Sequence, residues 1–380
     1  MNDQTSTDST HTPAEAQSVP QPAARQVGYA VIGLGELTLE ELLPAWAVGK
    51  RSRLAAVVSD DHDKALRAAR AYGLTGADAY SYDTFEELQS RPDVQAVYIV
   101  LPNSLHREYT ERAARIGKHV LCEKPLAGSV EDAEAMVAAC RDAGVKLMTA
   151  YRCQYTPLHW RARDLVQGGD LGSVKLIHSV NVQVEPDDGQ WRLKRELAGG
   201  GSLLDVGLYS LNTIRFLLGT EPTSLWAQTH STPGDPRFGE VEESVTWVMT
   251  FPGGVTAQCS CSYGAAHART LDVYGSEGRL QLDPAFDYTN LNLRVHTPQA
   301  ITEHRLKETD QFALEIDHFS ACIQEGGEPF TPGEEGLQDQ RLMDAIYRSA
   351  RTGQIVTLDP VPGTDAFRGP LPARTPDARD

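Results

Sequence analysis

From Tyr29 onward the chain alternates short apolar runs with amphipathic stretches. Tyr29-Ala30-Val31-Ile32, Leu54-Ala55-Ala56-Val57-Val58, Ala96-Val97-Tyr98-Ile99-Val100, His119-Val120-Leu121-Cys122 and residues 146–150 read as buried strands. Between them, residues 37–48, 63–72, 105–116 and 130–143 carry helical periodicity, with Gly117 and Gly144 as stops. Pro44 should kink or shorten the first of these helices. Strands alternating with helices at this spacing predict parallel βαβ units.

After about Tyr151 the pattern changes. Residues 174–185, 224–231, 245–251, 256–263, 270–274 and 291–295 read as successive strands, with Gly253-Gly254 and Gly275-Ser276-Glu277-Gly278 marking hairpins. Helices are expected at 203–218, 311–324 and 334–351. The expectation is an α/β chain, with a doubly wound parallel sheet over 27–150. A second, α+β domain over 151–360 follows, built on an open, mainly antiparallel sheet with helices on one face. The other face would be left for a second copy, so a homodimer or homotetramer is expected.

Length and charge narrow the classes. At 380 residues the chain exceeds the usual single core, in keeping with two domains. Lys+Arg is 35 against Asp+Glu 52, and the net charge of −17 repels phosphate backbones, which argues against nucleic acid. No apolar run is long enough to span a bilayer. The six cysteines (122, 140, 153, 259, 261 and 322) have no CxxC spacing, so no zinc site is expected, and scattered thiols suit a reducing cytoplasm. Residues 1–26 are polar and lack the pattern of a signal or transit peptide, which predicts a disordered arm. Residues 361–380, with spaced prolines, predict a flexible tail.

The candidate chemistry lies at strand ends. Gly33-Leu34-Gly35 follows the first strand: Gly33 permits a tight turn, and Gly35 lets the backbone approach a pyrophosphate at a helix N-terminus. The third small position of that fingerprint is Thr38. At the end of the second strand Ser59, Lys64 and Arg67 favour a 2′-phosphate and so NADP, whereas Asp60 and Asp61 argue for NAD. Pro102-Asn103 follows a later strand; His106 either lines the site or is a satisfied helix-start histidine. Glu123-Lys124-Pro125 ends the next strand, where a lysine stands beside a nicotinamide. Trp191 through Tyr209 brings three glycines (Gly199-Gly200-Gly201) into a helix carrying Asp205 and Tyr209 at i and i+4, on one face. A phenol is a poor base at neutral pH, and an adjacent ammonium favours its ionised form. Lysine, aspartate and tyrosine together could therefore move a hydroxyl proton as a hydride leaves carbon.

These runs together resemble the glucose–fructose oxidoreductase branch of the Gfo/Idh/MocA oxidoreductase family. The resemblance runs from 27 to about 360; Glu123-Lys124-Pro125 marks the wider family and 191–209 the branch. It implies a Rossmann domain followed by an αβ domain with a large open sheet. It also implies tightly held NADP, with glucose oxidised to gluconolactone and fructose reduced to sorbitol. Carried over, Lys124 and Asp205 orient the sugar and Tyr209 is the acid/base. Gly33, Leu34, Gly35, Leu37, Ser59, Lys64, Leu101, Asn103, His106, Glu123, Lys124, Arg152 and Tyr288 fall toward the cofactor. Tyr155, Trp191 and Arg192 fall toward the substrate, and no metal is implied. A tyrosine at 209, where many relatives carry histidine, favours this branch. An aldose 1-dehydrogenase or an aldose–aldose oxidoreductase is the alternative within the class, and a non-catalytic NADP-binding sensor the alternative outside it. The branch's best-known member carries a twin-arginine export signal; here Arg25 stands alone, and a cytoplasmic protein is expected.

Overall fold

A computed structural model describes residues 26–186 and 189–372. The expected N-terminal arm, apart from Gln26, and the last eight residues of the expected tail lie outside the described residues.

The first sheet is built from β1 (Val27–Ile32), β2 (Ser52–Val58), β3 (Ala79–Tyr80), β4 (Ala96–Ile99), β5 (His119–Glu123) and β6 (Leu147–Ala150). Their spatial order is β3-β2-β1-β4-β5-β6, all parallel. Every residue of β1 and β4 is buried, as expected of strands covered on both faces. The order reverses between β1 and β4, and the crevice at such a switch point is where ligands bind. Only the two-residue β3 was not expected from the sequence.

One cover of this sheet comes from far along the chain. The helix Gln311–Glu325 packs Phe312, Ile316 and Phe319 against Tyr29, Val31, Trp46 and Tyr98. Each such side chain contributes roughly 1.5–3 kcal/mol on burial. Asp317 on the same helix accepts from the backbone N–H groups of Lys50 (2.7 Å) and Arg51 (2.9 Å) and from Ser52 Oγ (3.0 Å). The first core therefore includes residues that the sequence pattern groups with the second.

The second sheet contains β7 (Val174–Val184), β8 (Ser224–His230), β9 (Ser244–Thr250), β10 (Thr256–Ser262), β11 (Gly264–Gly275), β12 (Arg279–Leu282), β13 (Leu293–His296), β14 (Ile301–His304) and β15 (Val356–Thr357). The order is β14-β13-β12-β11-β7-β10-β9-β8-β15, antiparallel except for the β7–β10 pair. Buried and open positions alternate cleanly: Leu225, Ala227, Val245, Trp247, Ala257 and Cys259 face the helices, while Trp226, Gln228, Thr246 and Gln258 face outward. Among the described residues no helix is long and apolar enough to cross a membrane. All six cysteines are free and buried.

The helix Leu208–Leu218 is fastened by a buried ionic cluster. Arg215, with no exposed surface, donates to Glu221 (2.7 and 2.8 Å), Glu335 (3.0 Å) and Asp339. Asn212 on the same helix donates to Asp339 at 2.7 Å. Arg368, whose side chain is 1% exposed, reaches Glu335 at 2.6 Å, and Asp365 pairs with both Arg368 and Arg163. Within the tail expected to be flexible from residue 361, residues 365–369 are held by charge pairs and by the Gly369 N–H on the Phe330 carbonyl (3.1 Å). Prolines keep the segment out of helix and strand, but its ion pairs were invisible to a compositional reading.

Two outcomes follow for stability. Arg215→Ala leaves three carboxylates without their shared cation and should cost about 3–5 kcal/mol in urea unfolding. Asp339 is pushed up to about 6 by burial, which outweighs the attraction of Arg215. Its proton is held more tightly folded than unfolded, so its contribution is full below about pH 4 and lost as pH rises through 6. The stability of Asp339→Asn minus that of the native chain should therefore rise between pH 4 and 6; a fall would show that Arg215 keeps Asp339 ionised.

Candidate active site

The turn after β1 is built around Gly33, whose φ of +94° suits glycine and whose added Cβ would stand 2.2 Å from the Val100 carbonyl oxygen. Gly35 differs: a Cβ there meets nothing within 4 Å and projects into open space. Thr38 replaces the third small residue and closes the turn from inside, its buried hydroxyl donating to the Gly33 carbonyl at 2.7 Å. The expected helix opens as a π-turn, Thr38–Leu42, before α-helix Leu43–Val48. Pro44 lacks the N–H that an α-helix would give to Glu40, and the wider turn accommodates it.

Beyond this turn lies a cleft of about 730 Å³ between the two sheets. Gly33, Leu34, Gly35 and Leu37 line one end, and Ser59, Asp60 and Lys64 lie beside them. Ser59 is buried and donates to Asp60 Oδ1 at 3.2 Å, while Asp61 caps the next helix by accepting the Lys64 N–H. Arg67 is exposed and outside the cleft, a solvated helix residue. The open space before Gly35, the helix start behind it and the hydroxyl and ammonium at the end of β2 fit a dinucleotide.

At the other end two distant stretches meet. Lys124, at the end of β5, donates from Nζ to Asp205 Oδ1 at 2.8 Å and to the Asp205 carbonyl at 3.1 Å. The same Nζ lies 4.7 Å from the centre of the Tyr209 ring. Asp205 sits on a π-turn, Leu203–Gly207, that leads into the helix Leu208–Leu218 carrying Tyr209. The i, i+4 pair is thus presented across a π-to-α junction, not along one α-helix as the spacing suggested. Arg192 (3.5 Å) and the Tyr263 hydroxyl (2.9 Å) complete the shell of Asp205 Oδ2. Burial favours the neutral acid, but Lys124, Arg192 and the hydrogen bonds outweigh it and hold Asp205 well below the usual carboxylate range. Burial lowers Lys124, while Asp205 and Tyr209 more than restore it, so the pair is ionised.

Arg152 is the second cation at Tyr209. Its Nε donates to the Tyr209 hydroxyl at 3.2 Å, and its guanidinium stacks 4.4 Å from the Tyr288 ring centre. Its other donors go to Gln311 Oε1 (2.7 Å) and to the carbonyls of Phe286 (2.6 Å) and Asp287 (3.4 Å). Asn103 lines the cleft and ties it to the second domain, donating to the Ala198 carbonyl at 2.9 Å. Leu101, Glu123, Trp191 and Arg192 also face it.

Two expected site residues are elsewhere. His106 is fully buried outside the cleft, its ring nitrogens held by the carbonyls of Leu101 (2.9 Å), Pro125 (3.1 Å) and Leu126 (3.2 Å). Burial pushes this imidazole below its usual range. Tyr155 is a core residue; its hydroxyl meets Thr331 Oγ1 at 2.8 Å and its ring packs on His318. Conversely, the sequence reading missed Tyr263 and a polar wall of Asn181 and Gln183 from β7 with Arg269 from β11. The period-two placement of Asn181, Gln183 and Glu185 on an expected strand was the available signal. A larger cavity of about 830 Å³ shares only Leu204 with the cleft and contains none of Lys124, Asp205 and Tyr209, so size alone does not locate the chemistry.

Comparisons with known proteins agree in both halves. Residues 27–151 match an oxidoreductase family with an NAD-binding Rossmann fold, and residues 159–281 match the GFO/IDH/MocA C-terminal domain. The chain is 35% identical to the D-xylose 1-dehydrogenase [NADP(+)] of Haloarcula marismortui, across 88% of this chain and 93% of that one. It is similar to the crystal structure of an aldose-aldose oxidoreductase from Caulobacter crescentus complexed with glycerol, with 43% identity and a TM-score of 0.86, covering 88% of this chain and 100% of that one. It is also similar to a 3-ketoreductase from Actinomadura kijaniata in complex with NADP, with 27% identity and a TM-score of 0.77, covering 85% and 98%.

The two turn glycines should fail differently. Gly33→Ala forces a strained φ and a backbone clash and should lose folded yield, at a cost of about 1–3 kcal/mol or more. Gly35→Ala should unfold within about 0.5 kcal/mol of the native chain but bind nicotinamide dinucleotide more weakly, as read by thermal shift. Equal destabilisation by both would contradict the assignment of Gly35 to the cleft.

Proposed function

The chain belongs to the Gfo/Idh/MocA oxidoreductase family, and from that premise we propose that it is an NADP-dependent oxidoreductase of sugar CH–OH groups that oxidises an aldose at C1. The observation that carries this reading is the meeting of Lys124 with Asp205 and Tyr209 at the end of β5, inside the cleft. The Gly33–Leu37 turn, with Ser59 and Lys64 toward the 2′-phosphate, would hold NADP, which would supply the hydride acceptor. In its phenolate form Tyr209 Oη takes the proton of the sugar hydroxyl, and as the phenol it gives that proton back in the reverse direction. Arg152 fixes that oxygen, and charge developing on it is faced by two cations. Asp205, ionised and already bonded to Lys124 and Tyr263, orients Lys124 and the sugar rather than taking a proton.

For the finer reaction, we propose that a second sugar takes the hydride back from the same bound cofactor. The similarity to an aldose-aldose oxidoreductase supports an aldose in that second role. Fructose, the acceptor of the branch the sequence resembles, is the competing acceptor, and the relative named D-xylose 1-dehydrogenase [NADP(+)] supports a single-sugar reaction.

Glucose or xylose added to protein purified without NADP should give a rise in reduced nicotinamide absorbance stoichiometric with protein. Reversal by a second aldose supports the proposal, and reversal by fructose alone supports the ketose version. No change until NADP is supplied, followed by steady turnover, supports the dehydrogenase; no oxidation of any aldose with NADP present overturns all three. Lys124→Ala and Tyr209→Phe should each retain NADP while turnover falls about 10²–10⁴-fold. Native rates in both would remove this mechanism.

A further inference from the structure

Beneath Lys124 lies a second acid that the mechanism does not use. Glu315, on the helix Gln311–Glu325, has no exposed surface, and its Oε1 has no hydrogen-bond partner. Its Oε2 lies 3.3 Å from the hydroxyl of Tyr98, which is itself fully buried on β4. The same hydroxyl lies 2.8 Å from Oε1 of Glu123, the residue before Lys124. Glu123 Oε2 accepts the Lys124 N–H at 3.2 Å.

The proton count decides the arrangement. A phenol has one proton and can donate to one carboxyl, so a second carboxyl at bonding distance needs a proton of its own. We infer that Glu315 is a permanently protonated acid whose Oε2–H donates to Tyr98 Oη, turning the Tyr98 proton toward Glu123 and leaving Glu123 as the ionised member beside the nicotinamide. The opposite assignment fails on contacts. Ionised Glu315 would bury a charge with one oxygen unbonded, whereas Glu123 has two donors and Lys124 adjacent. Arg152 faces both acids but makes no hydrogen bond to either. Burial, reinforced by Glu123, pushes Glu315 far above the usual carboxylate range, in agreement with the geometry. Glu315 is thus a positioning residue that acts through Tyr98. It keeps a single negative charge under a ring that is cationic when oxidised and neutral when reduced, which favours the oxidised cofactor.

This inference rests on the nicotinamide lying beside Glu123, as proposed above, and its test has an arm that does not. Infrared spectra of the native full-length chain between pH 6 and 9 should show a carboxylic-acid carbonyl band that persists across the range and vanishes in Glu315→Gln. Absence of that band overturns the inference whatever the enzyme binds or oxidises. In the second arm, dissociation constants for NADP⁺ and NADPH are measured by titration. Glu123→Gln should weaken NADP⁺ relative to NADPH about tenfold or more. Glu315→Gln, whose amide can still donate to Tyr98, should keep the native ratio within about twofold. A shift in Glu315→Gln as large as that in Glu123→Gln would overturn the assignment of the charge to Glu123. Failure to bind either nucleotide would instead sink the proposed function and leave the infrared arm to decide the protonation.

Discussion

The ion pair between Lys124 and Asp205 is the constraint on which the cleft depends. Its members are 81 residues apart, one just after β5 and the other on the π-turn before the Tyr209 helix, so the 2.8 Å contact fixes how these two elements meet. Lys124 also takes the Asp205 main-chain carbonyl, an acceptor left within reach by the π-turn. A buried pair of this kind adds little net stability, because desolvation offsets most of the Coulomb attraction. Its effect is on geometry: with Nζ held on two oxygens of one residue, the Tyr209 ring has a single place beside it.

That geometry needs a stiff frame, and the chain provides it by exchanging elements between the sheets. The helix Gln311–Glu325 belongs to the second half by sequence and to the first core by packing, where Asp317 gathers three donors from the start of β2. Gln311 at its first turn holds Arg152, and Glu315 one turn later meets Tyr98. One helix therefore supports the parallel sheet and both flanks of the reactive end. On the far side, the Arg215 cluster ties the Tyr209 helix to the helix Gly333–Thr352 and to the segment around Arg368. Unlike breaking a surface salt bridge, removing its central cation leaves buried carboxylates short of a partner.

Much of this was legible in the sequence because it depends on local pattern. The strands β1, β2, β4, β5 and β6 are continuous apolar runs, and the second sheet alternates with period two, so both classes were readable. Lys124, Asp205 and Tyr209 were readable because a strand end, a glycine run and a helix start are chain-local signals. Strands of two to four residues such as β3, β12, β14 and β15 are too short to show a period, since their pairing is set by neighbours distant in sequence. His106 and Tyr155 went astray for a related reason. Each lies within a few residues of cleft-lining positions, but the direction of a side chain is set by packing, and both turn away. Tyr263 and Arg269 were missed because nothing local ties them to Asp205 or to β7; the sheet register does.

The charge around Tyr209 supports the proposal that the tyrosine, and not the lysine, moves the proton. Lys124 Nζ is committed to two oxygens of Asp205, and releasing its proton would leave that carboxylate buried without its main partner. Arg152 is locked by Gln311 and two carbonyls, and guanidinium does not give up a proton in proteins. Asp205 is held ionised by three donor groups and has little basicity left. Glu123 lies below, bonded to Tyr98 and to the Lys124 amide. The Tyr209 hydroxyl accepts from Arg152, so its own hydrogen points away from that guanidinium. A proton leaving Tyr209 creates a negative charge that two fixed cations already face, at the same distance of 4.7 Å from the ring centre. Lys124, Arg152 and Asp205 could not change their charge without giving up contacts they already make.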